Sequence, residues 1–229
     1  MKKLLTSLVL LFSLFVFSQE YQFDYMLKST VKRDNPDYNY QSYDMVNSKN
    51  HNLYMEVGRN NINHNYYSIL VDNDKKIVSR FNLTDVNKNP IDFIYERGFE
   101  ILNDYKVYYN FFNLKIENVG ELKYKITPEK ILKPANQIFE MEVQLEKFED
   151  DLIIINFEPL SHEQELQIET LIKDKLKSEN QIGNFYIKEI KIKYFKKSTM
   201  IKNVIPQKID VILNLKKLNN INTVLNKNY

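Results

Sequence analysis

The stretch FEMEVQLE, residues 139–146, alternates apolar and polar side chains without interruption. The apolar positions are Phe139, Met141, Val143 and Leu145, and the polar ones are Glu140, Glu142, Gln144 and Glu146. Successive side chains of a β-strand point to opposite faces, so this period of two predicts a strand with one packed face and one acidic, solvated face. Because a strand that is wet on one face is typical of antiparallel sheets, the stretch indicates an antiparallel β architecture.

The same alternation recurs on both sides of this stretch and predicts further strands. The alternating segments are 21–26, 38–42, 53–57, 67–71, 77–81, 121–126, 190–194 and 209–215. A continuous β-branched run at 152–157 predicts a strand that is buried on both faces. Residues 91–110 fit either a helix over 92–104 or strands, and their aromatic residues and Gly98 favour strands. Residues 219–229 lack a pattern and are expected to form a frayed tail.

Turn residues separate the predicted strands. The segments RDNPD (33–37) and NSKNHN (47–52) predict polar loops. The segment DNDK (72–75) predicts the clearest hairpin, because Asn and Asp tolerate the left-handed backbone conformations of tight turns. The alternative of a calcium loop at this position is disfavoured, since the Gly and Glu that such a loop requires are missing. Pro206 is expected to mark the connection between the last two strands.

One amphipathic helix is predicted at 161–179. Ser161 and Gln164 have the spacing of a capping box, in which each side chain satisfies a backbone N–H of the first turn. Acidic residues near the start and lysines near the end complement the helix dipole. The apolar stripe consists of Ile168, Leu171, Ile172 and Leu176. The chain is therefore expected to form a mainly β (α+β) fold: an antiparallel curved sheet or half-barrel with one helix, in a single domain over 19–229.

The first eighteen residues, MKKLLTSLVLLFSLFVFS, have the layout of a secretory signal peptide. Two lysines precede an apolar run of about fourteen residues, which is shorter than the roughly 20 that a membrane-spanning helix needs. Cleavage after Ser18 would leave Gln19 as the mature N-terminus. The alternatives are a retained N-terminal membrane helix and a buried core element. The prediction is an exported protein, in the periplasm, on the outer-membrane surface or secreted, that does not span the membrane after cleavage.

Composition excludes several classes of function. The chain has no Cys, so thiolate catalysis, Cys-bound zinc, iron–sulfur sites and a lipidated N-terminus are excluded. Removal of Lys2 and Lys3 would leave 30 basic and 30 acidic residues, so no nucleic-acid partner is expected. Residues 185–229 carry ten Lys and two acids, whereas 111–184 carry nine Lys and fifteen acids. We expect these regions to neutralise each other; the alternative is a basic surface that meets acidic lipid or polysaccharide.

No catalytic, cofactor-binding or metal-binding residue stands out. The three histidines are His51, His64 and His162. His51 and His64 flank one predicted strand, whose ends lie roughly 17 Å apart, so they are not expected to share a metal. His162 falls in the first turn of the predicted helix, where a surface position is expected. No G-x-S-x-G or H-E-x-x-H motif occurs, and nothing selects a carboxylate pair for glycosidase chemistry.

The sequence resembles uncharacterised exported proteins of Bacteroidota. The residues that carry this resemblance are the signal-to-strand junction at 17–27, Asn47-Ser48-Lys49 before a strand, and the hairpin at 72–75. At the level of architecture, a curved antiparallel sheet with one helix is similar to the half-barrel of periplasmic lipoprotein carriers of the LolA/LolB type. That resemblance implies an apolar sheet face that holds an acyl chain. This chain has no Cys for the lipid anchor of the LolB kind.

These observations lead to three hypotheses about function. The leading one is an exported, non-enzymatic binding protein that holds an apolar ligand, such as a lipid, or an envelope protein on a β-sheet face. The alternative is a structural or interaction module of the cell envelope without a small-molecule site. A minor alternative is a hydrolase, which would require a solvent-reached cluster of carboxylates or histidines.

Overall fold

The computed structural model describes residues 20–59, 65–83, 93–100, 111–131, 138–157, 160–195 and 198–214. These residues form one open, eleven-stranded antiparallel sheet and a single α-helix. The predicted fold class, a mainly β antiparallel sheet with one helix, is confirmed. The predicted signal peptide at 1–18 and the predicted tail at 219–229 lie outside the described residues.

The sheet places the two ends of the described chain at its centre. In chain order the strands are β1 (Glu20–Arg33), β2 (Tyr40–Asn47), β3 (Asn50–Arg59), β4 (Tyr66–Asp72), β5 (Ile77–Leu83), β6 (Phe93–Glu100), β7 (Phe111–Gly120), β8 (Lys123–Ile131), β9 (Ile138–Phe148), β10 (Asn184–Phe195) and β11 (Ser198–Asn214). Their order in the sheet is β6-β5-β4-β3-β2-β1-β11-β10-β9-β8-β7. The helix α1 (His162–Ser178) follows β9, and a short 3₁₀ helix (Pro36–Tyr38) joins β1 to β2.

One hydrophobic core lies between α1 and strands β8 to β10. Helix residues Ile168, Ile172 and Leu176 are buried there, as the apolar stripe predicted, and Leu171 is partly buried at the edge. They face the apolar positions of the opening stretch, Phe139, Met141, Val143 and Leu145, all of which are buried. The helix begins as predicted, with Ser161 and Gln164 forming the complete capping box. We call this side of the sheet the helix face.

A second core lies on the other face of strands β2 to β5 and requires the sheet to bend. Met45 pairs with Met26, so it lies on the face opposite to Tyr25. Phe23 shares a face of β1 with Tyr25, yet Phe23 packs in the same cluster as Met45 and Phe81. The register of the β1–β11 ladder shifts between Phe23 and Tyr25, at the point where the side chains of β1 pass from one cluster to the other. Bulges increase local twist and bend a strand, which explains the curvature predicted for this sheet.

Three local predictions are corrected by the structure. The polar loop at 47–52 is a two-residue turn, because the Asn47 side chain accepts backbone N–H groups from Lys49 and Asn50. His51 therefore lies in β3 rather than in a loop. Pro206 lies inside β11 opposite Leu27 rather than at a connection, close to the bulge where the ladder is already irregular. Strand β7 was not predicted, whereas β6 confirms the preference for strands near 91–100.

Ion pairs join strands β8, β9 and β10 on the outer face of the sheet. Strand β9 lies between β8 and β10, so its glutamates face lysines from both neighbours. The ion pairs are Lys125–Glu140 at 2.8 Å, Lys193–Glu140 at 2.7 Å, Lys123–Glu142 at 3.3 Å and Lys188–Glu146 at 2.7 Å. Attraction from its two lysines holds the pKa of Glu140 below its usual value. Lys193–Glu140 and Lys188–Glu146 join the basic segment 185–229 to the acidic segment 111–184, whereas the other two pairs lie within the acidic segment.

Candidate functional site

Residues 151–157, which we call the strap, cross the helix face without joining the sheet as a strand. Their sheet contact is an isolated bridge between Leu152 and Tyr186. The predicted strand at 152–157 is therefore wrong, although Leu152, Ile153, Ile155 and Phe157 are buried as the apolar run implied. A buried extended backbone needs hydrogen-bond partners, so the groups that satisfy the strap decide what this region is.

Carboxylates replace the missing neighbouring strand. The N–H of Ile155 donates to Glu169 Oε1 at 2.8 Å, and the N–H of Phe157 donates to Glu165 Oε1 at 2.8 Å. The N–H of Ile153 donates to the side chain of Asp151 at 3.2 Å. In an extended chain, alternate N–H groups point in the same direction. Two glutamates four residues apart share one face of a helix, so they meet two of these N–H groups in sequence.

The two glutamates lie among apolar residues of α1. Glu165 is 8% exposed and Glu169 is 5% exposed. Burial raises the pKa of Glu165 above its usual value, although the neighbouring His162 and the N–H of Phe157 oppose the shift. The sequence motifs did not identify these residues as candidates for a functional site. The sequence nevertheless contained an indication of their role. Glu165 and Glu169 lie on the same helical face as Ile168, Ile172 and Leu176, and glutamates are rarely buried in such a face unless they are paired.

Two of the three histidines border this pair of carboxylates. His51 Nδ1 lies 3.1 Å from Glu169 Oε2, and His51 Nε2 lies 3.3 Å from the carbonyl oxygen of Asp151. His162 Nε2 lies 2.9 Å from Asn52 Oδ1, and its Nδ1 lies 3.8 Å from Glu165 Oε2. Strand β3 and the start of α1 thus bring His51 and His162 to one site, contrary to the expected surface position of His162. His64 lies outside the described residues.

A buried ion pair lies on the sheet side of the same region. Lys202 Nζ of β11 donates to Asp44 Oδ2 of β2 at 3.1 Å, and both side chains are buried. Burial works to lower the pKa of Lys202, but attraction to Asp44 outweighs it, so the pKa is raised above its usual value. Lys202 therefore remains charged and bound to its partner. Among the described residues of this site, the contact between His51 and Glu169 is buried to a similar extent.

The strap, α1 and the helix face enclose a cavity of about 20 Å³. Its apolar lining consists of Leu27, Val46, Tyr54, Leu152, Ile154, Ile155, Tyr186, Ile187, Ile190 and Val204. Its polar lining consists of Asp44, His51, Asn156, His162, Glu165, Glu169 and Lys202. A cavity needs roughly 10–15 Å³ to hold one water molecule, whereas a pocket for a drug-sized ligand measures roughly 300 Å³ or more. With the strap in this position the cavity therefore has room for about one water.

A second polar cluster fixes the start of the strap. The Tyr25 hydroxyl lies 2.7 Å from Glu149 Oε1 and 2.6 Å from Asp150 Oδ2. Lys208 pairs with Glu149 at 3.3 Å, and the Asn184 side chain donates to the Glu149 carbonyl. Burial and the two carboxylates raise the pKa of Tyr25 above its usual value. The segment before the strap is thus a turn anchored to β1, β10 and β11.

The acidic and basic side chains of the cavity are paired within the fold. No cluster of three or more His, Asp or Glu side chains in the described part of the chain could hold a metal ion. The carboxylates and histidines of the cavity are already engaged by backbone or side-chain partners, and the described lining contains no Ser, Thr or Cys nucleophile. At the predicted hairpin, Asp72 accepts the N–H of Lys75 at 3.0 Å, which is the role of a turn residue.

A wider and more open groove runs between α1 and the edge strand β7. It measures about 350 Å³ and is lined by Leu114, Glu163, Leu166, Gln167, Thr170, Leu171 and Asp174. Its walls come from the flank of α1 and one strand, and it is shallow and open to solvent. Within the described residues, the strap cavity combines more buried polar groups with a deeper apolar lining, so we take it as the candidate site.

Comparison with known proteins leaves the site without an assigned role. No protein-family model matches the chain, and no curated protein matches its sequence. Within the described residues, no helix combines the length and apolarity that crossing a membrane would require. Inference about function therefore depends on the strap, the cavity and the residues that hold them.

Proposed function

We propose that this chain is an exported, non-enzymatic binding protein that holds an apolar ligand on the helix face, beneath the strap. The observation that carries the proposal is the strap itself. It fills the centre of an apolar sheet face with its own side chains, and side-chain carboxylates rather than a β-ladder hold its backbone N–H groups. A lipid of the cell envelope is the ligand class that matches an exported protein with such a face.

The strap is built so that it can leave the sheet without disrupting a ladder. Its polar ties to the rest of the fold are few. They are the bridge at Leu152, whose N–H donates to the Phe185 carbonyl, the bonds to Glu165 and Glu169, the contacts of Asp151 with His51 and Lys173, and the Asn156 side chain, which donates to Glu56 at 2.9 Å. Loss of these bonds leaves every strand pairing of β1 to β11 intact. The apolar side chains of the strap occupy the place that a ligand would take, so an apolar ligand would replace contacts of the same kind.

A structural or interaction module is the second candidate function. The observation in its favour is the small volume of the strap cavity, which is far below that of ordinary ligand pockets. A module of this kind would keep the strap closed and would bind no small apolar molecule. The two proposals therefore differ in one measurable property.

The test uses the neutral apolar dye N-phenyl-1-naphthylamine, whose fluorescence rises when it enters an apolar site. We expect saturable binding to the purified protein and its loss in Val204→Phe, because Val204 is 6% exposed and lines the cavity. Ile205→Phe is the matched control, since the adjacent Ile205 is 68% exposed on the other side of β11. Saturable binding that is equal in both variants, or absent from the wild type, would contradict the proposal.

A further inference from the structure

We infer that the ligand carries a hydrogen-bond-donating head group that is neutral or cationic, and not an anionic one. This inference rests on the proposed function, because it describes the polar end of a ligand bound beneath the strap. Its basis is the set of charged groups that would face the ligand once the strap moves. These groups belong to α1, β2, β3 and β11.

Displacement of the strap removes hydrogen-bond donors from two buried carboxylates. Glu169 would lose the N–H of Ile155, and Glu165 would lose the N–H of Phe157. An ionised carboxylate is an acceptor only, so in an opened site Oε1 of Glu169 and Oε1 of Glu165 would lack the donors that the strap supplies. Leaving such groups unsatisfied is costly, and a ligand that supplies O–H or N–H groups removes that cost. An anionic head group, itself an acceptor, cannot do so.

The charges around the cavity point in the same direction. The carboxylates in the lining are Asp44, Glu165 and Glu169, whereas Lys202 is the lining residue with a permanent positive charge. Lys202 is bound to Asp44 at 3.1 Å and is not available to an anion. Outside the lining, Lys173 pairs at 2.8 Å with Asp151, the first strap residue, which directly follows the anchored turn at Glu149 and Asp150. Glu56 of β3 accepts from Asn156 and would add a further carboxylate once the strap moves. An incoming carboxylate or phosphate would thus meet two buried carboxylates, and the basic side chains of the lining, Lys202, His51 and His162, already have the acidic partners Asp44, Glu169 and Glu165.

The spacing of the two acceptors also limits the size of the head group. Side chains four residues apart on a helix lie roughly 5–6 Å apart, so one small head group can reach both carboxylates. The apolar strap residues that line the cavity are Leu152, Ile154 and Ile155. Each of these side chains has four carbons, so an alkyl chain of about twelve carbons would replace their apolar contacts. A dodecyl chain with a single amine or hydroxyl is the simplest molecule with both properties.

The experiment measures displacement of N-phenyl-1-naphthylamine from the purified protein at neutral pH. The competitors are dodecylamine, dodecanol and dodecanoate; the two ionic ones are kept below their micelle concentrations and dodecanol below its solubility limit. We expect dodecylamine and dodecanol to bind at least tenfold more tightly than dodecanoate, a difference of about 1.4 kcal/mol. Equal binding of all three, or tighter binding of dodecanoate, would overturn the inference and leave the proposed function standing. Failure of the dye and all three competitors to bind would overturn both.

Substitutions on α1 provide a second readout. Glu169→Gln removes a charge from the site and adds an N–H donor, so the preference against dodecanoate should shrink at least threefold. Glu163→Gln is the matched control, because it makes the same change of charge at an exposed position of the same helix and should leave the preference unaltered. An equal change in both variants would show a general effect of net charge and would refute a role for the buried carboxylate. Near-UV circular dichroism of each variant verifies that it is folded.

Discussion

Replacement of Glu169 by alanine tests directly whether buried carboxylates hold the strap. The substitution removes the acceptor of the Ile155 N–H and the partner of His51, at 2.8 and 3.1 Å. Hydrogen bonds to charged groups contribute roughly 1.5–3 kcal/mol, and a buried donor without a partner costs roughly 1–3 kcal/mol. Because the two costs overlap, we expect Glu169→Ala to lower the free energy of unfolding by about 3 kcal/mol.

The assay is urea denaturation of the purified protein, followed by circular dichroism. Glu169→Gln keeps an acceptor oxygen for the Ile155 N–H and should cost only about 1 kcal/mol. Gln167→Ala is the control for helix propensity, since Gln167 is exposed on α1, and its effect should stay within about 0.5 kcal/mol. Amide exchange at Ile155 should accelerate in Glu169→Ala and remain slow in the control. If the two alanine variants unfold at the same urea concentration, the reasoning about the strap is refuted.

Four further predictions concern the same fold. Burial raises the pKa of Glu165 above its ordinary 4.5. The protonated side chain therefore stabilises the folded state fully below pH 4.5, and this stabilisation is lost as the pH rises through the raised pKa. Glu165→Gln should remove this loss of unfolding free energy in urea denaturation between pH 4 and 8. Ser161→Ala should cost about 1 kcal/mol of unfolding free energy by the loss of the capping box. Lys202→Met alone should cost about 3–5 kcal/mol, because Asp44 is left buried without its partner, whereas the double variant Asp44→Leu/Lys202→Met should be close to neutral in the same assay. Expression of the full chain in a bacterium should yield an exported protein whose intact mass starts at Gln19, and retention of the first eighteen residues would contradict the predicted signal peptide.

The strands that the sequence predicted are those in which side-chain alternation is unbroken. Alternation is a local property, so FEMEVQLE at 139–146 identified β9 and its packed face directly. Strand β7 was not predicted because its backbone is irregular. Asn113 adopts a left-handed φ of 51°, and it has no partner between the pairs Phe112–Lys130 and Leu114–Pro128. This irregularity interrupts the alternation of apolar and polar residues from which a strand is predicted. The helix was located to within a residue because both halves of its capping box are local.

The candidate site depends on partners that are distant in sequence. His51 and Glu169 are 118 positions apart, and only the curvature of the sheet and the docking of α1 bring them together. The strap looked like a strand because its apolar run has the composition of one, but its hydrogen-bond acceptors belong to a helix that begins after it. The apolar composition of a segment predicts that it is buried, but it does not show which groups accept its backbone hydrogen bonds. The two glutamates on the apolar stripe of α1 were the local sign that this helix faces something other than an ordinary core.

Native mass spectrometry of the protein purified from the cell envelope without detergent tests the central claim most directly. The account predicts a bound apolar molecule that is released on denaturation and is absent from Val204→Phe but present in Ile205→Phe, because only Val204 lines the cavity beneath the strap. Its extracted mass should correspond to an amphiphile with a neutral or cationic head group. A spectrum that contains only the mass of the polypeptide, together with no binding of N-phenyl-1-naphthylamine, would contradict the account.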